Sequence, residues 1–93
     1  MKRLLLSALA ALIAQTTTVS AQDNCAPRDD VIAHLAGEYG ETRYSLGLES
    51  RGLLMELFVN RTTGTWTLTA VAPSGIACLV ASGDAFQSVG GDT

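Results

Sequence analysis

The sequence predicts an α+β fold: one N-terminal helix packed on a four-stranded antiparallel β-meander and fastened by one disulfide. Three observations predict it. An apolar stripe of helical period follows residue 27. Four alternating or apolar segments joined by short turns follow Gly40. One cysteine stands just before the helix and the other inside the last segment.

Pro27 stands where a helix accepts its first residue, because proline has no N–H to leave unbonded. Asp29 and Asp30 follow in the first turn, where the helix dipole favours negative charge. Val31, Leu35 and Tyr39 recur at i, i+4 and i+8, with Ile32 and Ala36 beside them, and form one stripe. Gly37 and Gly40 offer the left-handed conformation that ends a helix. The spacing therefore predicts a helix over 27–38.

After Gly40 the period changes to two. Tyr44, Leu46 and Leu48 alternate with Ser45, Gly47 and Glu49, the pattern of a half-buried strand, and Glu49-Ser50-Arg51-Gly52 makes a turn. Leu53 to Val59 is apolar on nearly both faces and reads as a central strand; Asn60 to Gly64 is a polar turn. Thr65 to Val71 alternates strictly, with Trp66, Leu68 and Ala70 on the face expected to meet the helix and threonines on a solvated face. Pro73-Ser74-Gly75 is a turn signal, and Ile76 to Ala81 is a fourth strand with Ile76, Cys78 and Val80 expected inward. The domain is expected to span 22–87, with a polar, glycine-rich, disordered tail at 88–93.

The chain opens with Lys2 and Arg3. A run from Leu4 to Ala14, broken only by Ser7, follows, and then Val19-Ser20-Ala21. That order is a positive n-region, an apolar h-region and a small-residue cleavage site, so residues 1–21 read as a cleavable secretory signal. The run is 11 residues long; a membrane span needs about 20. Gln22-Asp23-Asn24 before Cys25 does not suit a lipidated cysteine, so no stable membrane anchor is expected after cleavage. The expected location is the periplasm or the medium. Beyond residue 21 four arginines face nine acidic residues, leaving −5 and no lysine. Such a surface repels phosphates, which disfavours nucleic acid and anionic membranes as partners.

A domain of roughly 72 residues is marginal without a staple. Cys25 and Cys78 lie in the exported part, where an oxidising compartment joins them. A zinc site is not completed by two cysteines and one histidine, and a redox pair normally reads C-x-x-C. No metal or other cofactor is expected.

The chain carries C-x-x-R at Cys25–Arg28, Y-G-E at Tyr39–Glu41, G-T-W-T at Gly64–Thr67 and G-x-x-C-x-x-x-x-G at Gly75–Gly83. In this it resembles a group of short exported alphaproteobacterial proteins to which no activity is attached. The resemblance covers Cys25 to about Phe86 and implies export and the cysteine pair, but no activity. Ser82-Gly83-Asp84-Ala85-Phe86 is also similar to the Ser-Gly-x-x-aromatic loop of membrane-associated and periplasmic lysozyme inhibitors, a loop that enters the lysozyme cleft. Here Phe86 stands where that family has tyrosine, and the rest of the chain does not follow it.

Candidate chemistry is sparse, and each candidate has an ordinary reading. His34 and Glu38 lie four apart on the helix and could exchange a proton, yet a surface contact is the common outcome. Glu38, Glu41 and Arg43 flank a turn; two carboxylates suit a glycosidase, but a filled core of this size leaves little room for a cleft. Glu56, mid-strand between Leu54 and Phe58, wants a partner, and Arg43 or Arg61 is expected to supply one. No catalytic residue is predicted. The expected contact surface comprises Leu54, Glu56, Phe58, Thr65, Thr67, Thr69, Ser82 and Phe86. The function expected is that of a non-enzymatic binding protein with a protein or envelope partner. The alternatives are an inhibitor of a cell-wall hydrolase acting through 82–86, or a subunit of an envelope complex.

Overall fold

The computed structural model describes residues 24–90. The leader expected at 1–21 and the last three residues lie outside the described part. The elements run β1 (Cys25–Pro27), α1 (Arg28–Tyr39), β2 (Thr42–Leu48), β3 (Leu54–Val59), β4 (Trp66–Val71) and β5 (Ile76–Gly83). The sheet is antiparallel with order β1-β5-β4-β3-β2. It has five strands rather than the four expected. The extra one is β1: the three residues before the helix do not form a loose lead-in but pair with β5, Cys25 opposite Cys78 and Pro27 opposite Ile76. Proline is tolerated there because β1 is an edge strand.

Pro27, extended at φ −54° and ψ 141°, is the N-cap residue rather than the first residue of the helix, and Asp29 and Asp30 occupy the first turn. Gly37 continues the helix; Gly40 ends it in the left-handed conformation at φ 63°, its N–H returning to the Ala36 carbonyl and the next N–H, of Glu41, to the Leu35 carbonyl. A Cβ at residue 40 would come within 2.7 Å of Asn60 Nδ2, which donates to the Tyr39 carbonyl at 2.9 Å. Gly40→Ala is therefore expected to lower the unfolding free energy by about 1–2 kcal/mol through strain and loss of that tie. Urea denaturation measures it, and an unchanged midpoint would contradict the reading of the cap.

The faces of the sheet are the reverse of those expected. Leu54, Glu56 and Phe58 share the helix side with Thr67, Thr69 and Val71, in the register Phe58–Thr67, Glu56–Thr69 and Leu54–Val71. Phe58 is 1% exposed and Glu56 0%, and Thr67, Thr69, Val71 and Ala77 are buried. Trp66, Leu68 and Ala70 lie on the opposite face with Met55, Leu57 and Cys78, mostly half-buried. The cause is electrostatic. Arg28 in the first turn of α1 donates from Nε and Nη2 to both oxygens of Glu56, at 2.8 and 2.7 Å, and Arg43 on β2 adds a third bond at 2.9 Å. A mid-strand carboxylate is tolerated inside only when fully bonded. The helix therefore settles on the face carrying Glu56. The threonines follow it inward, with Thr69 Oγ1 donating to the Glu56 carbonyl at 3.4 Å. One of the two expected partners, Arg43, holds Glu56; the other is Arg28, and Arg61 lies over the Tyr44 ring instead.

The disulfide Cys25–Cys78 is present, with the two Cα atoms 4.0 Å apart. It ties the start of the chain's fold to its last strand, as expected. However, Ile76 and Cys78 sit on the face away from the helix, because Ala77 occupies the buried side opposite Val71. After β5 the chain turns back: Phe86 N–H donates to the Gly64 carbonyl at 2.9 Å, and the Tyr44 hydroxyl meets Ser88 Oγ at 2.6 Å.

Candidate functional site

Helix α1 is short, and it does not cover the whole width of a five-stranded sheet. Its Arg28 end is anchored at Glu56. Between the helix, residues 24–26 and the strip of sheet formed by β4 and β5, space is left open. The result is a cleft of about 470 Å³, within the range that takes a small organic ligand. A filled core is expected to leave little room for a cleft, and the structure nevertheless has this one.

One wall is the helix: Asp30, Val31, His34, Leu35 and Tyr39. These residues come from the stripe recognised in the sequence together with the two polar positions beside it. The floor is the threonine row of β4, Thr67 and Thr69, with Thr65 just before it, beside Leu79 and Ser82 of β5. Trp66 and Gly83 stand at the rim. They are register partners, and a Cβ at residue 83 would lie 3.0 Å from the indole, so glycine lets the ring lie flat on the strand. The indole N–H donates to the Asp84 carbonyl at 3.2 Å, which fixes the ring.

Glu41 is also on the cleft lining. It follows the helix cap, and its backbone N–H donates to the Leu35 carbonyl, which turns the residue inward. Glu41 is 2% exposed, and its Oε1 is buried with no hydrogen-bond partner. It stands in contrast to Glu56. The Glu56 carboxyl is held below its ordinary value, chiefly by the Arg28 hydrogen bond and also by Arg43, against the cost of burial. The Arg28 guanidinium is correspondingly pushed up by the same bond. One buried carboxylate is thus satisfied and structural, while the other, on the cleft lining, has one buried oxygen without a hydrogen-bond partner.

The residues singled out from the sequence scatter accordingly. Thr65, Thr67, Thr69 and Ser82 line the cleft. Leu54, Glu56 and Phe58 belong to the covered face and present no open patch. Phe86 does not project from the 82–86 loop: it packs edge-on against Tyr44, with ring centres 5.1 Å apart. His34 is exposed and meets Tyr39 edge-on at 5.9 Å. Sequence reasoning placed Glu41 in a charged turn and missed its burial. The only available signal was its position directly after a glycine cap, where the chain reverses into the sheet.

Among the described residues, no group of three or more His, Cys, Asp or Glu side chains could hold a metal ion, and no helix is long and apolar enough to cross a membrane. Comparison with protein-family models, curated proteins and solved structures returned no match.

Proposed function

We propose that this is an exported, non-enzymatic binding protein of the periplasm, and that the helix–sheet cleft is its binding site. The cleft itself carries the reading: a concave space of about 470 Å³ where hydroxyls, the Tyr39 ring, the buried Glu41 carboxylate and the polar Asp30 and His34 stand among apolar side chains. That mixture of apolar lining and a few placed polar groups is what ligand sites share. The disulfide is compatible with an oxidising compartment, and the leader read in residues 1–21 would take the chain there. Phe86 is engaged with Tyr44, so the inhibitor reading lacks the projecting aromatic that it requires.

Ser82 lines the cleft and is exposed, so it can be enlarged without disturbing the core. A ¹⁵N-NMR screen of small polar metabolites against the disulfide-intact protein is expected to move amides of the cleft residues, and Ser82→Phe to abolish those shifts while leaving the melting curve unchanged. Ligand shifts scattered over the surface, or identical in Ser82→Phe, would sink the assignment. Processing is checked separately by intact mass, expected to begin at Gln22 and to be two hydrogens light.

A further inference from the structure

We propose that the cleft takes an organic cation, an ammonium or guanidinium group on a slender apolar stem, whose N–H groups reach the carboxylate of Glu41; this rests on the cleft being the binding site. Glu41 is 2% exposed and its Oε1 has no donor. Nearly all buried polar atoms are bonded, and an orphaned one is costly. A ligand that brings the donor removes that cost on binding.

The charge around the cleft points the same way. Among the described residues, Asp30 is the other carboxylate on its lining, His34 is the one basic side chain there, and no arginine lines it. The four arginines beyond the leader are engaged elsewhere: Arg28 and Arg43 on Glu56, Arg51 on Glu49, and Arg61 over Tyr44. Among the described residues, Arg28, Arg43 and Arg51 thus pair with carboxylates other than Glu41. A bare metal ion needs several converging oxygens, and no such group exists among the described residues. An organic cation carries several donors itself. Tyr39 offers a ring to its charge, and Leu35 and Leu79 offer apolar contact to its stem.

The test is an NMR titration of the disulfide-intact protein at low salt. The probes are n-butylammonium, Nα-acetyl-lysine amide and Nα-acetyl-arginine amide, with n-butanol and acetate as the neutral and anionic counterparts. The cations are expected to move the amides of residues 30–41 and 65–69, and the counterparts to leave them in place. Raising salt to about 0.5 M should weaken binding. Glu41→Gln should weaken it about tenfold or more, and Asp30→Asn, at an exposed position, by less. Tighter binding of the capped amino acids would identify a side chain of a protein partner as the source; tighter binding of butylammonium would identify a free amine. If Glu41→Gln does not fold, the salt dependence and Asp30→Asn decide. Equal affinity of wild type and Glu41→Gln, or butanol binding as well as butylammonium, overturns the proposal. Neutral probes moving the cleft amides would overturn it while leaving the cleft as the binding site; no probe moving them would remove both.

Discussion

Arg28→Met is expected to lower the unfolding free energy by about 3 kcal/mol, because it strips two of the three hydrogen bonds from a carboxylate that water does not reach. Arg43 remains with one bond, which keeps the loss at the low end of what breaking a buried pair costs. The double variant Arg28→Met/Glu56→Leu should lose less than Arg28→Met alone, since no buried charge is then left behind. Urea denaturation measures both; a loss below about 1 kcal/mol for Arg28→Met would show that Glu56 does not depend on the helix. The same carboxylate sets a pH dependence. Its pKa in the folded protein lies below the ordinary value of 4.5, so the folded state binds the proton less readily than the unfolded state does. The stabilisation is fully present above the unfolded value and is lost as pH falls through the folded one. Wild-type stability should therefore decline below about pH 4.5, and Arg28→Met should flatten that decline; equal slopes would refute the linkage.

Reducing the disulfide, or replacing both cysteines by alanine, is expected to remove about 4 kcal/mol, given the 53-residue separation that it closes. A single core in a domain of this size rarely supplies more than about 3–5 kcal/mol, so the reduced protein should be largely unfolded at 37 °C. The effect should be largest at β1, whose three residues have only β5 as a strand partner. Denaturation with and without reductant gives the number, and a midpoint insensitive to reductant would mean that the pairing of β1 holds without its sulfurs.

Much of the fold was legible because it rests on local signals. The stripe at Val31 and Leu35, the cap at Gly40 and the period-two runs fixed α1 and β2–β5 to within two residues at most of their ends. What failed was the choice of face. A row of threonines reads as solvated and a tryptophan as buried when each residue is judged by its own polarity. Here one long-range ion pair between Arg28 and Glu56 reverses both, and two residues 28 apart give no periodic signal of their pairing. The strand Cys25–Pro27 is too short to show any alternation, and only its partner across the sheet defines it. The cleft was illegible for a related reason: Glu41 is placed by a chain reversal, and its missing donor is a property of the assembled site.

The first strand lies against the last, so the pairing that completes the sheet joins segments far apart in the chain. The three hairpins from β2 to β5 close over short turns and can form early, whereas closure of the ends waits on the longest loop. Oxidation nevertheless has a single intramolecular product, because the chain holds only two cysteines. Four would allow three pairings. One oxidation step is thus sufficient to form the bond, and an isomerase that reshuffles mispaired sulfurs has nothing within this chain to correct.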